Sequence, residues 1–93
     1  MNAVHALRES GASASASAQP SLHDCVTHAV RRYLRDLGGH PAEDLHALVV
    51  QEVEKPLFAE VLLHYDGNQS RAAVALGINR STLRKKLRQY QLA

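Results

Sequence analysis

Tryptophan is absent from this sequence, and cysteine, methionine and phenylalanine occur once each in 93 residues. The lone cysteine, Cys25, excludes an internal disulfide, a C-x-x-C redox pair and a thiolate zinc cluster, and fits a reducing cytosol. It lies beside the apolar stripe of a predicted helix and reads as a small core or interface residue rather than a nucleophile. Six histidines are present (His5, His23, His28, His40, His46 and His64), yet no two are spaced i, i+4 for joint metal ligation on a helix. There is no glycine-rich phosphate loop and no G-x-S-x-G elbow. Glu52, Glu54 and Glu60 are expected on a solvated helix face rather than in a paired-carboxylate site. The reading is therefore of a protein that is not an enzyme, with no catalytic residues, no metal site and no cofactor.

Long apolar runs are also missing. Nothing approaches the roughly 20 residues of a membrane span, and the start of the chain lacks the basic-then-apolar pattern of a signal peptide. Residues 1–20 include an alanine/serine alternation from Gly11 to Ala18 that offers nothing large to bury, and read as a flexible N-terminal arm. The remaining seventy-odd residues make one small domain, which standing alone would bury only about 60% of its unfolded surface. Dimerisation is the usual remedy.

Acidic residues are wholly absent from one stretch. Residues 67–93 hold six cations (Arg71, Arg80, Arg84, Lys85, Lys86 and Arg88) and no Asp or Glu, a charge of +6. Residues 1–66 hold five Lys and Arg against nine Asp and Glu, a charge of −4. This segregation is an electrostatic footprint for a polyanion. The same stretch has the grammar of two short helices around a tight turn. Asn68 is a good N-cap, Ala72, Ala73 and Leu76 form a narrow stripe of small apolar residues, and Gly77 supplies the left-handed residue that stops the helix. Ile78 plugs the corner and Asn79 caps a second helix reaching to about Tyr90. Leu83, Leu87 and Tyr90 (i, i+4, i+7) form its inner face, with Ser81, Arg84, Lys85 and Arg88 roughly opposite. A soluble helical hairpin would show a charge run too. The absence of acids, together with agreeing caps and spacings, favours a DNA-binding helix-turn-helix.

Upstream, Ser21 and Asp24 form a capping box before Leu22, Val26, Ala29, Val30, Tyr33, Leu34 and Leu37, which recur at helical spacing. Gly38-Gly39 ends that helix. Pro41 suits the first position of the next, with Glu43 and Asp44 at its positive end. Leu45, Leu48, Val49, Val53, Leu57 and Val61 share one side of this second helix, and Pro56 should bend it, with a break into two helices as the alternative. About 23 residues, near 35 Å, is too long for so small a monomer and suits a dimer. The dimer core is expected to include Val26, Val30, Leu34, Leu48, Val53 and Leu57.

The run GNQSRAAVALGINRSTLRKKLRQY resembles the C-terminal signature of the Fis family, the bacterial factors for inversion stimulation. A related module ends the nitrogen-regulator-type enhancer-binding activators. The likeness continues upstream through QEVEKPLFAEVLLHY, so it covers the chain from about Ser21 to the end. It implies an all-α fold, a four-helix subunit whose first two helices interlace with those of a partner over residues 21–66, and a helix-turn-helix over residues 67–93. By resemblance, Asn79, Arg80, Thr82, Arg84 and Lys85 match DNA-contacting positions, while Asn68, Ser70 and Arg71 match positions that clamp the backbone. Arg80 is the candidate for bidentate readout of a guanine. Arg84 is placed for bases or phosphate, and Thr82 and Lys85 for phosphates. The resemblance further implies a cytoplasmic, nucleoid-associated homodimer that binds and bends double-stranded DNA at degenerate sites with A·T-rich centres, activates or represses promoters, and meets RNA polymerase.

Two departures stand out. Asp66 occupies a turn position where the family usually has a basic residue used for flanking DNA and RNA polymerase. An acid argues against both contacts, leaving Gly67, Asn68 and Gln69 as polymerase-facing groups. The family's recombinase-activating arm is a β-hairpin with alternating apolar and polar residues, and residues 1–20 have no such pattern. An alternative from another class is a dimerisation or adaptor module whose basic tail binds an acidic protein. RNA binding is a third, without an aromatic platform to support it.

The arm generates the first prediction. A flexible Ala/Ser segment must lose roughly 1–2 kcal/mol of backbone entropy per residue to hold a contact, and it lacks large side chains to compensate. Deleting residues 1–20 should leave thermal stability, dimerisation and DNA affinity nearly unchanged, and activation of a DNA invertase should be weak even with the full chain. Strong inversion by the full chain, abolished by truncation while gel-shift binding survives, is the contrary result.

Overall fold

A computed structural model describes residues 19–93, so the expected arm lies outside the described residues apart from Gln19 and Pro20. Four helices and no strand occur among the described residues. The fold is all-α. The chain divides into two compact units between Glu43 and Asp44.

The described part of the first unit is built on helix α1, Leu22–Asp36. The expected cap is in place: Ser21 is extended, and its Oγ accepts a hydrogen bond from the Asp24 N–H at 3.1 Å. Asp24 in the first turn and Arg35 in the last complement the helix dipole. After the Leu37 cap the chain turns through Gly38, whose φ of 62° is left-handed. No residue of α1 is buried. Val26, Val30 and Tyr33 are half-buried, while Leu22 and Leu34 remain 48% and 45% exposed. Cys25 is exposed as well, so it is not the core residue of a single chain that its position suggested.

The second unit begins with α2, Leu45–His64. The helix starts four residues later than Pro41 because Asp44 sits at φ 53°, a left-handed conformation that cannot belong to a right-handed helix. Glu43 and Asp44 therefore lie outside it, and its first turn carries no acid. At 20 residues it is about 30 Å long rather than 35 Å. It runs unbroken through Pro56, so the alternative of two helices is not taken.

Helix α3, Gln69–Leu76, packs on both α2 and α4, and α4 spans Arg80–Gln89. The core they enclose consists of Phe58, Ala72, Ala73, Leu83, Leu87 and Tyr90, flanked by Val61, Leu62, Tyr65, Leu76, Ile78 and Leu92. The small Ala72 and Ala73 let neighbouring backbones approach, and Leu83 and Leu87 fill the space as the largest fully buried side chains. Burying each leucine contributes about 1.5–3 kcal/mol. Gly77 ends α3 at φ 74°, as expected, and its N–H bonds the carbonyls of Ala73 and Val74. A Cβ there would meet nothing within 4 Å, so the requirement for glycine is one of backbone conformation, not of space.

Helix α2 differs from its expected single stripe. Its buried residue is Phe58, one position past Leu57, and with Leu62 and Tyr65 it faces the α3–α4 pair. Of the stripe read from the sequence, Val61 packs on this core, Leu48 and Leu57 are 40% and 45% exposed, and Val53 is half-buried. Leu63 is 72% exposed. The helix thus carries apolar residues on more than one side, and only one side is covered within its own unit.

Candidate nucleic-acid interface

Helix α4 is ten residues long, too short to hold itself together in water, and depends on its buried face for both existence and orientation. With Leu83, Leu87 and Tyr90 turned into the core, the helical repeat turns Ser81, Thr82, Arg84, Lys85 and Arg88 to the surface, where all five are exposed. Arg80 and the Asn79 cap are exposed at its N-terminus. Asn68, Ser70 and Arg71 are exposed at the N-terminus of α3, the helix packed against it. All eight residues singled out in the sequence therefore lie on the surface of two adjoining helices, six of them at or near the positive ends and Arg84 and Lys85 in the middle of α4.

Both N-caps form as predicted, and their geometry decides what each asparagine can still do. The Oδ1 of Asn68 accepts from the Arg71 N–H at 3.1 Å. That of Asn79 accepts from the Ser81 N–H at 2.8 Å and the Ser81 hydroxyl at 2.6 Å. Each carbonyl oxygen is committed to the helix, which leaves the side-chain NH2 group as a donor suited to an anion. The remaining first-turn N–H groups add a positive field. Asp66, in the turn before α3, is exposed and left-handed at φ 55°, a conformation that aspartate tolerates.

Five of the six cations in residues 67–93 form no ion pair among the described residues; the sixth is Lys86. Its Nζ lies 2.9 Å from Oε1 of Glu54 on α2, and the same oxygen accepts a hydrogen bond from the Tyr90 hydroxyl at 2.6 Å. The Tyr90 ring rests against Phe58, with centroids 6.2 Å apart and planes inclined at 46°. The Tyr90 hydroxyl holds the Glu54 carboxyl below its usual range; burial opposes this, and Lys86 adds to the lowering. The bond to Glu54, followed by burial, pushes the Tyr90 phenol up. Glu54 is thus not on a solvated face. The signal was present in the sequence, because Glu54, Phe58 and Leu62 recur at i, i+4, i+8 and so share the side that packs.

A shallow, open cleft of about 340 Å³ is lined by Tyr65, Ser70, Arg71, Val74 and Ala75. Among the described residues, no group of three His, Cys, Asp or Glu side chains could hold a metal ion, and no helix is long and apolar enough to cross a membrane.

Comparison with known proteins agrees with this geometry. Residues 49–90 match the family of bacterial regulatory proteins of the Fis type, and residues 1–42 match the N-terminal domain of the DNA-binding protein Fis. The second match carries the likeness upstream of Ser21, where the sequence motifs began. A Xylella fastidiosa protein named as Fis-like and DNA-binding is 57% identical over 82% of this chain and 84% of its own length. The DNA-binding protein Fis of Glaesserella parasuis is 52% identical over 74% of this chain and 70% of its own length. That of Escherichia coli is 49% identical over 77% and 74%.

The Glu54–Tyr90 bond predicts a pH-dependent stability. Glu54 has a folded pKa below its ordinary 4.5, so its contribution is present above that value and is lost as pH falls through the folded one. Tyr90 is raised above 10.0, so its contribution is present below that value and is lost as pH rises through the folded one. Tyr90→Phe keeps the ring and removes the donor, and should cost about 1–2 kcal/mol at neutral pH. In urea unfolding at fixed protein concentration, that penalty should shrink as pH is lowered through the carboxylate range. A penalty independent of pH would contradict the assignment.

Proposed function

Since the chain belongs to the Fis family of bacterial DNA-binding regulators, we propose that it acts as a homodimer that binds and bends double-stranded DNA at degenerate sites. The observation that carries this reading is the exposed face of α4, free of acids and rich in cations that form no ion pair among the described residues, set opposite a buried apolar face. The positive N-terminal half of such a helix enters the major groove. Arg80 there donates two hydrogen bonds to a guanine edge. Arg84 reaches a base or a phosphate, and Thr82, Lys85 and the NH2 group of Asn79 hold phosphates. Asn68, Ser70 and Arg71 clamp the neighbouring backbone through side chains and first-turn N–H groups.

One strong base contact per subunit leaves much of the site unread, so the remaining preference comes from DNA shape. Recognition helices set closer than one turn of straight B-DNA, as the family resemblance implies, require a bend and a narrow central minor groove, which favours A·T-rich centres. The division of labour is then an arm over residues 1–20, dimerisation over 21–66 and DNA binding over 67–93. A dimer core containing Val26, Val30, Leu34, Leu48, Val53 and Leu57 is supported by α1 having no buried residue and by the uncovered apolar side of α2. Such a protein works in the cytoplasm on the nucleoid and regulates transcription. Contact with RNA polymerase would fall to Gly67, Asn68 and Gln69, because Asp66 carries the wrong charge for the usual turn contact. The matched families are DNA-binding regulators, and no catalysis is proposed.

Arg80→Ala should weaken binding by about 1–3 kcal/mol and flatten the preference for guanine at one position per half-site. Lys85→Ala should weaken all sequences alike and reduce the salt slope by about one unit per subunit. Sites selected from random DNA, followed by titration at several salt concentrations, measure both, and unchanged affinity and base preference in Arg80→Ala would overturn the docking. For the dimer, Val53→Asp would bury an unpaired charge and should give a monomeric or unfolded protein without DNA binding. A stable, fully DNA-binding monomer in sedimentation runs counter to the dimer.

A further inference from the structure

The run Arg84-Lys85-Lys86-Leu87-Arg88 presents its two lysines as equals. The structure separates them. Lys85 is exposed and unpaired among the described residues, whereas the Lys86 ammonium lies 2.9 Å from a carboxylate oxygen of Glu54, with 32% of its side chain accessible. The Glu54 side chain is 22% accessible, and the same oxygen also accepts the Tyr90 hydroxyl at 2.6 Å. Resting on the reading of α4 as the DNA-reading helix, we propose that Glu54 is a positioning residue that sets the overall strength and salt dependence of DNA binding. It holds Lys86 against α2, so that the helix-turn-helix meets DNA with five of its six cations free of ion pairs among the described residues.

Three physical points support this. First, a lysine on a phosphate strengthens binding to every sequence equally, because the phosphate backbone carries no sequence information. Withholding one cation per subunit therefore lowers affinity for every duplex alike and makes it less sensitive to salt, while the base preference set by Arg80 is unchanged. Second, Glu54 is held in place for the task. It occupies the same side of α2 as Phe58 and Leu62, the side that packs on the helix-turn-helix, and the Tyr90 hydroxyl, itself on a buried residue, orients its carboxylate. Third, moving Lys86 to a phosphate would leave the partly buried Glu54 without its counter-charge, which opposes the move. Lys85 faces no such opposition. Glu54 acts on DNA recognition through Lys86 and touches no DNA itself.

The test is a salt titration of binding to two duplexes of equal length, one carrying a site selected from random DNA and one scrambled. Glu54→Gln keeps the shape of the side chain and removes its charge, which releases Lys86. The slope of log affinity against log salt should steepen by about 0.9 per subunit. Affinity for the scrambled and the selected duplex should rise by about the same factor, leaving their ratio unchanged. Lys86→Met should leave the wild-type slope unchanged, and the double variant Glu54→Gln with Lys86→Met should return to it. An unchanged slope in Glu54→Gln, or a flatter one in Lys86→Met, overturns the proposal; the latter would mean that Lys86 leaves Glu54 for a phosphate when DNA binds. Lys86→Met retains Glu54 and the Tyr90 bond, so the question stays decidable if Glu54→Gln folds poorly. Running Arg80→Ala in the same titration separates the two levels. If it loses base preference while Glu54→Gln changes nothing, only the role of Glu54 fails, whereas an inert Arg80→Ala removes the docking on which that role rests.

Discussion

The burial of one face of α4 is the constraint on which the other properties of the second unit depend. A ten-residue helix has no stability of its own; Leu83 and Leu87, fully buried, and Tyr90, nearly so, supply it. Because those three positions recur at i, i+4 and i+7, burying them leaves the helix no rotational freedom about its axis. The cations between them are then presented outward by geometry, with no separate device needed for each. The bond from Tyr90 to Glu54 adds direction to a contact that is otherwise non-directional. It ties the C-terminal end of α4 to the middle of α2 and, with Phe58, sets how the two helices meet.

That arrangement makes α2 a helix with two obligations. One side, through Glu54, Phe58, Leu62 and Tyr65, serves as the floor of the helix-turn-helix. The other leaves Leu48 and Leu57 uncovered. A helix apolar on several sides belongs inside a structure, and a core of six residues is small for a protein meant to act alone. The proposed dimer resolves both problems. It also places the residues expected to meet the partner, Val53 and Leu57, directly beside Glu54 and Phe58, which meet the DNA-reading unit. Dimerisation and DNA reading would then share a single rigid element.

Much of this was legible in the chain because the signals are local. Asn68, Gly77 and Asn79 each act on backbone groups within four residues, and each does what its residue type implies. The inner face of α4 follows from spacing alone. What escaped the sequence depends on residues distant along the chain or on backbone choices with several solutions. Glu54 finds its partners 32 and 36 residues away; its i, i+4, i+8 spacing with Phe58 and Leu62 marks the side that packs, but not the Lys86 and Tyr90 that meet its carboxylate. Pro41 permits a helix start without requiring one, and the left-handed Asp44 moved it. The stripe of α2 was read one residue away from Phe58, because a helix apolar on more than one side has no unique stripe to read.

In the proposed complex, two copies of α4, related by a twofold axis, each place Arg80 against a guanine in the major groove. Methylation interference on a selected site tests it most directly, since a methyl group on guanine N7 removes the acceptor that Arg80 would use. The expected result is strong interference at one guanine in each half-site, the two symmetrically placed about an A·T-rich centre. Interference at a single guanine, or none in the major groove while binding persists, would contradict it.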